Sequence, residues 1–146
     1  MPIEIYGMLE SPPSRIAMLT CEALGLEYKM TLCDLEKGDN KKEEYLKLNP
    51  QHTIPTMVDE DGFVLNESRV IGTYLAAKHE NEKLYPKDLK IRARIDSALD
   101  FDMGTFYKAF GDVVVSIKIR TKCSQNSIDR KLERFEDTLG IQSECI

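Results

Sequence analysis

Short runs of alternating hydrophobic and polar residues give way along this chain to longer stripes of helical spacing, and that change divides it in two. Ile3, Glu4, Ile5 and Tyr6 alternate as a strand does. Ser11-Pro12-Pro13 then supplies a helix start, because a proline in the first turn has no N–H to leave unsatisfied. Ile16, Leu19, Thr20, Ala23 and Leu24 follow at helical spacing and Gly25 closes the helix, giving a βα unit. Tyr28–Leu35 predicts a second strand, and Lys41–Leu48 a short charged helix that must stop before the Asn49-Pro50 step. After a turn at Asn49-Pro50-Gln51-His52, Ile54–Val58 reads as a strand, Asp61-Gly62 as a hairpin turn and Phe63–Leu65 as its partner. Glu67-Ser68 opens a helix carrying Val70, Ile71, Tyr74 and Leu75. The order βαβαββα calls for a mixed sheet covered by helices, an α/β unit of thioredoxin type.

Glu80 to Lys87 is charged and contains Leu84-Tyr85-Pro86, which reads as a linker. Beyond it the strand signals end. Ile91, Ile95, Leu99, Met103, Phe106, Phe110 and Val114 trace one face of a long amphipathic helix, weakened locally by Gly104, Gly111 and Val113-Val114-Val115. Ser127–Leu139 predicts a further helix, with Ile128, Leu132, Phe135 and Leu139 on its apolar stripe, and the tail from Gly140 to Ile146 carries no helix pattern. Two helices cannot bury both stripes alone, so they must pack on the first domain, on further helices or on a partner. The expected organisation is a thioredoxin-like domain over 1–80, a linker over 81–88, and an all-α, incomplete helical domain over 89–146.

Composition narrows the function. The 146 residues carry a net charge of -5, against the basic face that phosphate neutralisation requires, so a nucleic-acid binder is disfavoured. Basic residues gather between Lys118 and Arg134, but with acidic and polar neighbours at helical spacing, as on a solvated helix face. No stretch approaches the ~20 apolar residues of a membrane span, and no export signal opens the chain. Cys21, Cys33, Cys123 and Cys145 form no C-x-x-C and no metal-ligand spacing, so reduced thiols and no metal are expected, in a cytoplasmic protein.

Four segments are specific in combination: Ser11-Pro12-Pro13-Ser14-Arg15, Asn49-Pro50-Gln51-His52-Thr53-Ile54-Pro55-Thr56, Glu67-Ser68-Arg69, and Leu84-Tyr85-Pro86-Lys87-Asp88. Their order and spacing resemble those of cytosolic glutathione transferases of the insect delta/epsilon type, and Phe101-Asp102-Met103-Gly104-Thr105 resembles the first long helix of that family's second domain. The likeness runs from residue 1 to about 139, which implies a glutathione-binding domain followed by a helical domain cut short.

The resemblance implies a role for each matching position. Ser11 would donate a hydrogen bond to the glutathione sulfur. A free thiol titrates near ~8.5, so a hydroxyl donor at the positive end of a helix favours the attacking thiolate. Alone, Ser11 reads as a helix cap. Ile54-Pro55 resembles the family's cis-proline turn, where Ile54 offers its backbone to the cysteinyl part of glutathione as an added strand would. Glu67 would pair with the γ-glutamyl ammonium, Ser68 and the helix N–H groups would take its carboxylate, and Arg69 would support them. His52, with Thr53 beside it, would serve the glycyl end. Tyr107 and Phe110 match aromatic positions that line the hydrophobic co-substrate pocket.

Three positions depart from the family pattern: Asn40 stands where many relatives carry a histidine near the glycyl end, Glu10 puts a negative charge beside Ser11, and Asn66 replaces a common tryptophan. The leading expectation is a homodimeric detoxification enzyme that conjugates glutathione to electrophilic hydrophobic molecules, with possible peroxidase activity and glutathione as co-substrate but no cofactor. The alternatives are a non-catalytic glutathione-binding or protein-interaction module and a relative of the transferase-like domain of a translation elongation factor subunit; Ser11 with Glu67-Ser68 speaks against the last.

Overall fold

β1 (Ile3–Gly7) is buried at every second residue, with Ile3 and Ile5 at 1% and 0% exposure, and it occupies the interior of a four-stranded sheet. In this computed structural model, residues 1–118 and 129–137 are described. They belong to two compact units, the first covering Met1–Leu89 and the second beginning at Lys90.

In the first unit the sheet order is β2-β1-β3-β4. β2 (Tyr28–Leu32) runs parallel to β1, which requires the crossover supplied by α1 (Pro12–Leu24). β3 (Thr56–Val58) is antiparallel to β1 and pairs with β4 (Val64–Asn66) across a hairpin whose Gly62 sits at φ 87. α2 (Glu43–Leu48) follows a 3₁₀ turn at Asp39–Lys41, and α3 (Ser68–Lys78) follows β4. The core is one cluster of Ile3, Ile5, Ala17, Cys21, Met57, Ile71 and Leu75, drawn from β1, β3, α1 and α3. The opposite sheet face carries Tyr6, whose ring meets Tyr45 of α2 edge-on at 6.0 Å. This is the mixed, helix-covered α/β architecture expected from the alternation of patterns.

Element limits differ from the sequence reading where side chains compete with the ladder. The second strand stops at Leu32 and not Leu35, because the Asp34 carboxylate accepts the Glu36 and Lys37 N–H groups and folds the chain into a turn. The third strand starts at Thr56 and not Ile54, since Pro55 has no N–H to give a ladder. α1 begins after Ser11 and ends on Gly25 at φ 68, a left-handed cap that suits glycine.

In the second unit, α4 (Leu89–Phe101), a π turn (Asp102–Phe106) and α5 (Tyr107–Lys118) run on as one helical stretch, and a further helix, α6, covers 129–137. The π turn answers a mismatch in the apolar stripe. Ile91, Ile95, Leu99 and Met103 recur every four residues, ahead of the ~3.6 of an α-helix, and a wider turn takes up the drift. Rings of Phe106 and Phe110 on this stretch meet Phe135 of α6 at centroid distances of 5.5 and 6.3 Å. Of the residues expected on the last helix, Ile128 and Leu139 lie outside the described residues, as do Cys123, Cys145 and the tail over 140–146.

Asp59, at the end of β3, is 1% exposed and joins the hairpin to α3. Its carboxylate accepts hydrogen bonds from Lys78 Nζ at 2.7 Å, from the Tyr74 hydroxyl and from the Glu60 N–H at 2.8 Å. Burial pushes this carboxyl up, but the bonds from Lys78, Tyr74 and the Glu60 N–H outweigh it and hold it below the ordinary range. The same contact, with burial, pushes the Tyr74 hydroxyl up to about 12. A depressed carboxyl contributes stability that is full above its unfolded pKa of ~3.9 and is lost as pH falls through the folded value. Asp59→Asn is expected to flatten the stability profile below pH ~4. Asp59→Ala should cost about 1–3 kcal/mol at neutral pH, both read by denaturant melts across pH.

Candidate functional site

The strand register gathers the predicted site residues of the first unit at one end of the sheet. Tyr6 of β1 stands opposite Thr56 of β3, and Thr56 stands opposite Asn66 of β4. The chain leaving β1 reaches Ser11, the chain entering β3 comes from Ile54-Pro55, and the chain leaving β4 reaches Glu67-Ser68.

Ser11 is the N-cap of α1, with extended backbone at φ -83 and ψ 114, and is half-buried. Its Oγ accepts the Ser14 N–H at 3.4 Å, while its own N–H donates to the Met8 carbonyl at 3.2 Å. The cap uses the oxygen as acceptor only, so the hydroxyl proton can be donated to a ligand. Beneath it, Ser14 is fully buried and its Oγ accepts the Met8 N–H at 3.3 Å. A Cβ at Gly7 would lie 2.5 Å from Ser14 Oγ and 2.9 Å from Ser14 Cβ. Gly7 is therefore what lets the first turn of α1 close onto the end of β1 and sets where Ser11 stands. The sequence reading missed this pair; its signal was the glycine ending the alternating strand Ile3-Glu4-Ile5-Tyr6.

The loop before β3 is held by side chains. Asn49, 1% exposed, donates from Nδ2 to the Thr53 carbonyl at 3.0 Å, to Thr53 Oγ1 at 3.1 Å and to Thr56 Oγ1 at 3.0 Å. Its Oδ1 accepts the Gln51 N–H at 3.0 Å and Asn66 Nδ2 at 3.1 Å. Tyr45 adds its hydroxyl to the Thr53 carbonyl and pairs with Thr56 Oγ1 at 2.8 Å; burial is the chief reason its pKa is pushed up to about 12. Asn40 donates from Nδ2 to the His52 carbonyl at 2.7 Å. His52 and Thr53 are exposed, Ile54 is half-buried, and the Ile54-Pro55 bond is cis. Asn49 and Tyr45 carry much of this geometry. Neither was singled out from sequence, because a buried amide and a buried phenol resemble any turn or helix residue until their partners are known.

At the start of α3, Glu67 takes φ 68 and ψ 103, a left-handed backbone that costs a non-glycine residue on the order of 1–3 kcal/mol. It is exposed, and its carboxylate does not cap its own helix. Ser68 is 3% and Arg69 9% exposed, and Arg69 Nη1 donates to Ser68 Oγ at 2.9 Å. Ser68 thus meets a cation on one side and keeps its own proton to donate.

Tyr107 and Phe110 belong to the second unit, where their rings lie 6.3 Å apart beside the Phe106–Phe135 pair. A cavity in that unit, 210 Å³ in volume, is lined instead by Gly104, Thr105, Lys108, Asp112, Lys131 and Arg134 among others. A 290 Å³ cavity in the first unit is bordered by Tyr6, Thr31, Cys33 and Tyr45 and contains none of the predicted site residues. Cys21 and Cys33 are buried free thiols; burial pushes Cys21 up to about 11 and Cys33 upward too. Neither is poised as a nucleophile. Among the described residues no cluster could hold a metal ion and no helix is long and apolar enough to cross a membrane.

The family model for the glutathione S-transferase N-terminal domain matches residues 10–78, the stretch that carries Ser11, the cis-proline loop and Glu67-Ser68-Arg69. Residues 10–78 thus form a glutathione S-transferase N-terminal domain. Among solved structures it is similar to a glutathione transferase from Bombyx mori, at 40% identity and a TM-score of 0.87 over 96% of this chain and 63% of that one. A delta-class glutathione transferase from Nilaparvata lugens matches at 40% identity and a TM-score of 0.86, over 96% and 64%. An epsilon-class glutathione S-transferase from the housefly, Musca domestica, matches at 36% identity and a TM-score of 0.78, over 90% and 62%. The chain therefore spans a little under two thirds of the length of these transferases. The insect delta and epsilon resemblance read from its motifs agrees with these neighbours.

Two of the three departures from the glutathione transferase pattern prove to be bonded into the site loop: Asn40 to His52 and Asn66 to Asn49. Glu10 is exposed. Asn49→Ala would take their partner from the Asn66 amide and the Gln51 N–H and remove one of the bonds to the Thr53 carbonyl, and is expected to lower stability by about 3 kcal/mol. Gly7→Ala should cost about 1–3 kcal/mol by overpacking against Ser14; both are read by urea unfolding.

Proposed function

We propose that the first unit binds glutathione along the end of the sheet where β1 and β4 finish and β3 begins, and that the protein transfers its thiolate to electrophilic, hydrophobic small molecules. The supporting observation is the double register of Thr56, opposite Tyr6 and Asn66, which brings the ends of three strands to one edge. The domain match supplies the reaction class; the register supports the assignment of residues.

Ser11 donates a hydrogen bond from its hydroxyl to the sulfur at the positive end of α1, a 13-residue helix. The thiol proton leaves to solvent, the thiolate attacks an electrophilic carbon, a C–S bond forms, and the electron pair departs on a leaving group or moves into a conjugated acceptor. The backbone of Ile54, before Pro55, holds the cysteinyl part as an added strand. Glu67 takes the γ-glutamyl ammonium, Ser68 and the N–H groups opening α3 take its carboxylate with Arg69 behind them, and His52 and Thr53 serve the glycyl end. Tyr107 and Phe110 contribute to the electrophile site. Peroxidase activity on hydroperoxides, a homodimer, and a cytoplasmic role in detoxification belong to the same proposal.

A hydrogen bond to a charged group contributes about 1.5–3 kcal/mol. Ser11→Ala should therefore raise the pKa of the bound thiol by about one to two and lower kcat/KM for a generic electrophile about 10- to 100-fold. Thiolate absorbance in the ultraviolet and a conjugation assay read these. Glu67→Ala should instead weaken glutathione binding about tenfold or more by calorimetry. Binding without turnover would favour a non-catalytic glutathione-binding module, and a folded chain that binds no glutathione would sink the proposal.

A further inference from the structure

We propose that Asn40 is a positioning residue for His52, and that through His52 it sets how strongly the first unit prefers glutathione over the same peptide lacking its glycyl residue. This rests on the glutathione reading above and adds to it a residue that touches no ligand. Asn40 lies in the 3₁₀ turn Asp39–Lys41 and is 8% exposed. Its Nδ2 donates to the His52 carbonyl at 2.7 Å, and its Oδ1 is buried with no hydrogen-bond partner among the described residues. Reversing the amide would set carbonyl against carbonyl, so the orientation is fixed by His52. A buried amide with an unpaired acceptor is worse for packing than an apolar side chain of the same shape. Among the described residues, the bond to His52 is the one side-chain hydrogen bond that accounts for it.

His52 itself needs to be held. Its φ of 50 lies in the left-handed region, unfavourable for a side chain with a Cβ. Its N–H is tied to the Asn49 carbonyl at 2.9 Å and its C=O to Asn40, so the peptide groups on both sides of its Cα are anchored. With φ and ψ set, the direction of the Cα–Cβ bond is set, and with it the direction in which the exposed imidazole leaves the loop. The donor's platform is rigid in turn: the Asp39 carboxylate accepts the Asp34 N–H at 2.9 Å and Lys42 Nζ at 2.7 Å, and the Lys41 N–H donates to the Gly38 carbonyl at 2.9 Å. Losing the Asn40 bond frees the His52 peptide and scatters the imidazole without touching Ser11, Glu67 or Ser68.

The test is calorimetric titration with glutathione and with γ-glutamylcysteine, using the wild type, Asn40→Ala, Asn40→Asp, His52→Ala and the Asn40→Ala/His52→Ala double variant. The wild type should bind glutathione about tenfold tighter than γ-glutamylcysteine. Each Asn40 variant should lose about tenfold for glutathione and less than twofold for γ-glutamylcysteine, and the double variant should be no weaker than His52→Ala. Equal losses for the two peptides, as from general loosening of the fold, would overturn the inference, and so would no loss or additive losses in the double variant. Should both Asn40 variants fail to fold, His52→Ala still decides: unless it erases the wild type's preference for glutathione, the inference fails. A wild type that binds glutathione but ignores removal of glycine sinks this inference alone; one that binds neither peptide sinks the glutathione reading with it.

Discussion

β3 is three residues long and is paired on both sides, and the arrangement of the first unit turns on its first residue. Thr56 is fully buried, lies in register with Tyr6 and Asn66, and has its hydroxyl bonded to Tyr45 and Asn49. A strand this short makes few ladder bonds, so backbone pairing alone specifies its register weakly. The side-chain bonds from α2 and the Asn49 turn supply the missing specification. Once Thr56 is fixed, the chain preceding it must present Pro55 and Ile54 at the same edge where β1 has delivered α1 and β4 delivers α3.

This explains what could be read from the amino acids and what could not. The alternation in Ile3–Tyr6, the proline start of α1, Gly25 and the Asp61-Gly62 turn are local signals with local causes, and each appears in the structure near its predicted place. Ser11, Glu67 and Ser68 were legible by themselves only as helix starts, and their place in a glutathione site came from the family resemblance of the segments that hold them. The contacts that position them were not, because they are made between residues distant in sequence: Asn49 with Asn66, Asn40 with His52, and Gly7 with Ser14. A side-chain amide carries no periodicity, and its partners follow from the sheet order. Asn40 and Asn66 show this most clearly, since sequence marked them only as departures from a pattern, and the structure bonds both into the loop.

The helical unit obeys a different logic. Its stripe of Ile91, Ile95, Leu99 and Met103 was visible, but the π turn at Asp102–Phe106 was signalled only indirectly, by a repeat of four and by Gly104. Helical order survives there while its pitch changes, and Phe106 within the turn and Phe110 after it both meet Phe135. Ile91 and Met103 of this stripe, and Leu132 of α6, are exposed apolar side chains among the described residues.

The protein's own thiols and the thiol it is proposed to activate stand at opposite ends of one physical scale. Cys21 and Cys33 are withdrawn from water, where burial disfavours the thiolate. A glutathione sulfur beside Ser11 would meet a donor hydroxyl and the positive end of the α1 dipole. The same hydroxyl can serve there as both cap and donor, because its oxygen accepts from Ser14 while its hydrogen is free to turn outward. A carboxylate cap such as aspartate would satisfy the helix equally well but would repel a thiolate and offer it no proton. A serine at this junction therefore reconciles two demands, starting a helix and favouring an anion in front of it, that the other strong capping side chains meet less well.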